Sequence, residues 1–230
     1  MNLFVGSNTS IPLKSGIVGV KMETNYPWSG KVKLVIDPEK KGKFKVYLRI
    51  PDWYYKKVAS GDLYFMTDDD GEPVHLSYTL NGKVFGTTYK NGYLVIENEW
   101  KKGDVVELNM PMEVKIIRAR EELKQDKNRV AIQRGPIVYC VEGNDNDGKA
   151  WNVIIPANTK FEVIDHKVLD EPVKALTAEV PVVTVGEDGL SLKTEKKKII
   201  AIPYYTWANR GKNEMQVWLP TKITDVKLNY

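Results

Sequence analysis

The 230-residue sequence predicts an all-β fold of two consecutive β-sandwich domains, jelly-roll-like in character, and three observations carry that prediction. Apolar residues recur at every second position in short runs, the pattern of a strand with one wet face. Turn dipeptides and scattered Gly and Pro separate these runs. No long segment repeats its apolar residues at helical spacing, which argues against alternating helices and strands. The length suits two ordinary domains.

Taken in order, Phe44, Val46, Leu48 and Ile50 alternate with Lys45, Tyr47 and Arg49, and so predict a half-buried strand. Val74, Leu76, Tyr78 and Leu80 alternate with His75, Ser77 and Thr79 in the same way. Val106, Leu108 and Met110 repeat the pattern after a Lys101 to Asp104 turn, and Asn81-Gly82 and Asn91-Gly92 are tight-hairpin dipeptides. Only Ala119 to Lys127 has helix-forming composition, and it is too short for more than a turn or linker helix. Pro111 to Ile117 reads as the close of one strand set, before the charged segment Arg118 to Arg129. The expected domains are therefore residues 1–117 and 118–230. Gly143 to Gly148 and Gly186 to Gly189 read as loops.

Composition excludes several function classes. Hydrophobic residues make up 42% of the chain and charged ones 28%, the balance of a globular protein, and no apolar run is long enough for a membrane span. No signal peptide is visible, which leaves cytoplasmic, periplasmic and secreted locations open for a parent protein. Net charge is +4 and is spread over both halves. A nucleic-acid partner would need a concentrated basic stripe; Lys40-Lys41 and Lys196-Lys-Lys198 read as solvated turns or strand ends. The single cysteine, Cys140, excludes an internal disulfide and a multi-cysteine zinc site.

Residues that could do chemistry are few. Glycosidic cleavage uses two carboxyl groups, roughly 5 to 5.5 Å apart for retention and about 6.5 to 9.5 Å for inversion. Glu97 and Glu99, two apart on one strand, could notionally suit inversion, but that position reads as a solvent face. Asp68 to Glu72 has the composition of a calcium loop without its ligand spacing, and reads as an acidic turn. His75 and His166 lie in no metal or nucleophile motif and read as surface or hydrogen-bonded residues. Cys140 follows an apolar run and reads as a buried, inert thiol.

The aromatics offer more. A sugar ring presents apolar C–H faces beside hydroxyls, so an exposed ring can bury one face while polar neighbours satisfy the rim. The candidate platforms are Tyr26 with Trp28, Trp53-Tyr54-Tyr55, and Tyr204-Tyr205 with Trp207. The competing reading packs them at domain contacts. Trp53, Tyr205 and Trp207 are assigned to substrate binding. Tyr26, Trp28, Arg134, Tyr204 and Arg210 are assigned to a domain interface, with Arg210 as a hydrogen-bond fork.

An ordered set of motifs runs through nearly the whole chain: Leu3 to Ser7, Glu23 to Gly30, Leu48 to Trp53, Arg134 to Cys140, Ala201 to Gly211 and Met215 to Leu219. In that order they resemble the C-terminal part of glycoside hydrolase family 127, typified by β-L-arabinofuranosidases. The resemblance implies a middle and a C-terminal β-sandwich domain that stabilise, orient or oligomerise a catalytic helical barrel lying upstream of Met1. It also implies a cysteine nucleophile, zinc ligands and a glutamate acid/base in that barrel, so no catalytic residue, metal ligand or cofactor is assigned to this chain. The expected partners are the barrel, plant-type glycans and a second copy of the chain. Two readings from other classes stay open, a carbohydrate-binding module and a free-standing assembly protein.

Overall fold

The computed structural model describes residues 1–67 and 76–226. The expected strand at Val74 and His75, and the acidic turn Asp68 to Glu72, lie wholly or partly outside the described residues. The rest is all-β, and it gathers into two compact units. The first comprises Met1–Lys57 with Gly71–Met112, the second Val58–Asp70 with Glu113–Tyr230.

Strands β1 (Ser7–Leu13), β2 (Gly16–Thr24), β3 (Lys31–Pro38) and β4 (Gly42–Arg49) open the first unit. β5 (Tyr64–Met66) belongs to the second, and β6 (Ser77–Leu80), β7 (Thr88–Lys90), β8 (Tyr93–Trp100) and β9 (Asp104–Asn109) return to the first. The first unit has one sheet in the order β1-β2-β3-β9-β6 and another in the order β4-β8-β7, with antiparallel pairing throughout. Alternation sets what faces inward. Val18, Val20, Met22, Val32, Leu34 and Ile36 from the first sheet pack with Val46, Leu48, Leu94, Ile96 and Trp100 from the second. That shared core makes the unit a sandwich. Trp100 is fully buried, donates its indole N–H to the Phe44 carbonyl at 2.9 Å and stacks on the Phe44 ring. The Asn91-Gly92 hairpin forms as expected between β7 and β8, with both residues at positive φ (51° and 80°), the requirement of a tight primed turn.

The second unit contains β5, β10 (Val114–Ala119), β11 (Arg129–Arg134), β12 (Ile137–Glu142), β13 (Glu162–Val168), β14 (Glu171–Val185), β15 (Leu192–Pro203), β16 (Met215–Gln216) and β17 (Leu219–Pro220). They form a sheet ordered β13-β14-β15-β12-β11-β10-β5, with β16 on β12 and β17 on β11. The boundary expected between residues 117 and 118 falls inside β10, which pairs with β11 and with β5. Alternating apolar residues mark Val114–Ala119 as a strand but carry no information about which sheet receives it. The charged segment that follows is a connection within this unit, and the turn or linker helix expected there is the 3-10 turn Lys124–Asp126.

Candidate functional site

The C-terminal block forms a rigid loop at the end of β15. After Pro203 the chain makes a 3-10 turn, Tyr204–Thr206, whose buried Thr206 hydroxyl donates back to the Pro203 carbonyl at 2.7 Å. Asn209 Nδ2 donates to the Thr206 carbonyl at 3.1 Å, and the Ala208 N–H donates to Glu142 Oε1 at 3.2 Å. Ala208 itself stands at φ 66°, a left-handed conformation that a residue with a Cβ enters only when its surroundings impose it.

Arg210 imposes much of it. Its Nη1 donates to Asp145 Oδ1 at 2.9 Å, and its Nη2 donates to both Asp145 Oδ2 and Glu142 Oε2. His166 Nε2 lies 3.0 Å from the same Asp145 Oδ1. The Glu142 side chain is 1% exposed and that of Asp145 8%. The hydrogen bond donated to Asp145 is the largest influence raising the guanidinium above its ordinary pKa, and Glu142 adds to it. Arg210 thus forms a hydrogen-bond fork whose partners are carboxylates of its own unit. The supporting loop is equally tied down. Asn146 donates to the Glu142 and Ile200 carbonyls and accepts from the Ile200 N–H, all within 2.9 Å. Glu214 Oε2 accepts from the Ala150 and Trp151 N–H groups.

This clamp displays aromatic rings. Tyr205 is 64% exposed, Tyr204 43% and Trp207 37%. Tyr204 and Trp207 stack with centroids 6.2 Å apart and planes 10° from parallel. Burial raises the Tyr205 phenol above its ordinary pKa, and the Glu171 carboxylate adds to the rise. Tyr139 lies beneath, its hydroxyl donating to the Lys174 carbonyl at 2.9 Å. Burial pushes that phenol up to about 12, against the opposing charge and hydrogen bond of Arg134. Arg134 thus sits by Tyr139 at the end of β11.

The aromatics of the first unit are placed differently. Trp53 is half-buried against the core and its indole N–H donates to the Tyr26 hydroxyl at 3.0 Å. Tyr26 meets Phe4 edge to face, and Tyr54 is buried. Trp28 is half-buried in a turn closed by its N–H on the Asn25 carbonyl. The open rings here are Tyr47, Tyr55 and Tyr89. Burial, then the neighbouring Tyr55, Tyr78 and Tyr54, pushes the Tyr89 phenol up to about 12. Tyr89 escapes sequence reasoning because it lies far along the chain from Tyr55, in a weakly patterned strand; its only signal is a hydrophobic ring facing out beside a tight hairpin.

The remaining candidates for chemistry are committed elsewhere. Glu97 binds Lys43 and Lys45, at 3.1 and 3.5 Å, and Glu99 binds Lys41 at 2.7 Å, all on a solvent face. Cys140 is fully buried, and burial followed by the Glu142 charge pushes its thiol up to about 12. Among the described residues no group of three His, Cys, Asp or Glu side chains is placed to hold a metal ion, and no helix is long and apolar enough to cross a membrane.

Comparison with known proteins gives a consistent result. Residues 1–112 match the beta-L-arabinofuranosidase GH127 middle domain, and residues 114–220 match the glycoside hydrolase family 127 C-terminal domain. A non-reducing end beta-L-arabinofuranosidase of Bifidobacterium longum subsp. longum is 30% identical over 219 residues, covering 86% of this chain and 30% of the relative. Among solved structures, a GH127 beta-arabinofuranosidase superposes with a TM-score of 0.89 at 32% identity, covering 98% of this chain and 35% of its own. A GH127 beta-L-arabinofuranosidase from Geobacillus stearothermophilus T6 superposes with a TM-score of 0.78 at 35% identity, covering 95% and 33%. The chain thus spans about a third of the length of these relatives.

Proposed function

Because the chain belongs to glycoside hydrolase family 127, a family of carbohydrate-degrading enzymes whose middle and C-terminal domains it carries, we propose that it is the non-catalytic β-sandwich region of a β-L-arabinofuranosidase-like hydrolase. It stabilises and orients a catalytic helical barrel and is silent in hydrolysis by itself. The supporting observation is where its reactive side chains are spent. The Cys140 thiol is buried and held protonated, Glu142 and Asp145 are both paired with Arg210, and Glu97 and Glu99 are bound to lysines in water. Zinc does not fit these residues either, since the one thiol is buried beside carboxylates already occupied by a guanidinium. The zinc and cysteine nucleophile that the family implies belong to the barrel in this reading.

The test is to purify the 230-residue chain, assay it on arabinofuranosides, and then titrate it into a separately produced family barrel. We expect no turnover by the chain and a rise in the barrel's melting temperature. Turnover by the chain that disappears in Glu142→Gln would overturn the reading.

The exposure of Tyr205 on a clamped loop favours a second reading, saccharide binding at Tyr205 and Trp207. Trp53 contributes less to it, because its ring is half-buried and its N–H is taken by Tyr26. Calorimetry with arabino-oligosaccharides should then show heat that Tyr205→Ala reduces about tenfold in affinity, the scale of one stacked ring. Absence of binding would remove this reading and leave the first intact.

A further inference from the structure

A groove of about 590 Å³ opens beside β14 in the second unit, a volume within the range of small-molecule sites. It owes its existence to a gap in strand pairing. β13 pairs along β14 as far as Glu162 opposite Thr177. The next contacts on that edge are the Ile154 N–H on the Pro181 carbonyl and the Val183 N–H on the Asn152 carbonyl. Main-chain groups of a strand turn to the same edge at every second residue, so Glu179 directs its N–H and C=O into the gap, with no backbone partner there among the described residues.

The charges around this gap are unusual. Lys160 enters from the loop before β13, and Lys196 and Lys198 enter from β15, opposite Pro181 and Glu179 respectively. None of the three ammonium groups forms a hydrogen bond or ion pair among the described residues, whereas Lys197, between two of them, is bound to Asp147 and Glu195. The two-residue alternation of the strand divides the Lys196-Lys-Lys198 run, sending Lys197 to the other face. Two carboxylates, Glu162 and Glu179, also line the groove, with no ion pair among the described residues. Beneath them Thr177 and Ala178 are buried, and the Thr177 hydroxyl is fixed to the Ile199 carbonyl at 2.7 Å, so the floor is preorganised.

We infer that this groove binds an acidic oligosaccharide, a chain of sugars bearing both carboxylates and free hydroxyls. The inference takes its ligand class, saccharide, from the family reading; the acidity comes from the groove itself. Three unpaired ammonium groups attract anions, carboxylates among them. The two glutamates and the open Glu179 carbonyl accept hydrogen bonds from hydroxyls and repel a polyanion that has no hydroxyls to offer. A polyphosphate chain therefore fits poorly, and a neutral glycan leaves the ammonium groups unused.

The experiment is calorimetry on the full chain with three probes: a short oligogalacturonate, a neutral arabino-oligosaccharide and polyglutamate, each at low and high salt. Oligogalacturonate should bind most tightly and lose affinity with salt. Lys160→Gln with Lys196→Gln and Lys198→Gln should weaken it by about tenfold or more, while Lys197→Gln leaves it unchanged. Glu179→Gln should raise polyglutamate binding more than oligogalacturonate binding. Circular dichroism verifies that the variants fold, which the exposed positions of Lys160, Glu179, Lys196 and Lys198 lead us to expect. Failure of oligogalacturonate to bind, equal binding of polyglutamate, or indifference to the triple substitution would each overturn the inference. None of these outcomes bears on barrel stabilisation, which is read by a melting temperature.

Discussion

Each unit holds an aromatic 3-10 turn, and the two turns are held by opposite means. In the first, the 3-10 turn Asp52–Tyr55 is anchored by oil: Tyr54 is buried, Ile50 before it is 1% exposed, and Trp53 leans on the core with one neutral hydrogen bond to Tyr26. In the second, the turn Tyr204–Thr206 is anchored by charge, through Arg210, Glu142 and Asp145. Apolar anchoring draws the rings inward, which is why Trp53 is not an open platform. Charged anchoring works from behind the loop, through the backbone of Ala208 and the side chain of Arg210, and leaves Tyr204, Tyr205 and Trp207 facing water. A loop that must present rings to a partner or ligand is better fixed the second way.

The sharpest way to break the comparison is to remove one member of the clamp. Arg210→Ala strands a Glu142 side chain that is 1% exposed, and losing one partner of a buried pair costs about 3–5 kcal/mol. Urea unfolding should show that loss, and hydrogen exchange should place it in residues 203–214. Replacing Arg210, Glu142 and Asp145 together with Met, Gln and Asn should destabilise less than Arg210→Ala alone, because no charge is then left buried. In the first unit the counterpart, Tyr54→Ala, should cost about 3 kcal/mol by cavity formation, and no second substitution of a charged residue should rescue it. Equal costs for the single and triple clamp variants would remove the electrostatic account of the second loop.

Alkali should separate the units next. Cys140 and Tyr139 both have pKa values raised by burial to about 12 from ordinary values of 9.0 and 10.0. The folded second unit therefore keeps protons that the unfolded chain releases. Its stability is complete below about pH 9 and declines as pH rises toward 12, with a slope approaching about 1.4 kcal/mol per pH unit for each group. Tyr89 in the first unit is raised to about 12 as well, but it is exposed, and water weakens its contribution. Hydrogen exchange from pH 8 to 10.5, corrected for the intrinsic rate, should show protection falling in β12 before it falls in β8. Substituting Cys140→Ala should flatten the slope in β12.

How much of this could be read beforehand follows from the range of each interaction. Alternation along Phe44 to Ile50 is local and predicted its strand, and Asn91-Gly92 predicted its hairpin. Pairing is not local. Val114 to Ile117 looked like the end of one sheet because nothing in its apolar residues distinguishes β9 from β11 as a neighbour. The same holds in the site. Arg210 is recognisable as a fork from its Gly-ended aromatic loop, but its carboxylates lie 65 and 68 residues earlier, Asp145 in a segment that reads as a loop and Glu142 just before it. Tyr89 joins Tyr55 only once β7 has paired with β8. Lys196 and Lys198 read as a strand-end charge run until the gap beside Glu179 gives them a groove to line.

The smallest effect probes the strain that the clamp imposes. Ala208 pays a left-handed penalty of about 1–2 kcal/mol at φ 66°, and glycine would relieve it at an entropic cost of about 0.5–1 kcal/mol. Ala208→Gly should therefore stabilise the second unit by at most about 1 kcal/mol in urea unfolding. Its consequence for the rings has the opposite sign. A glycine loosens the hinge between Trp207 and Arg210, so the Tyr204–Trp207 stack should become more mobile even as the unit becomes more stable, read as faster exchange at the Trp207 and Ala208 amides. If Ala208→Gly instead left exchange in this loop unchanged, Arg210 alone would set the loop's rigidity, and the left-handed residue would be a consequence of the clamp with no part in presenting the aromatic face.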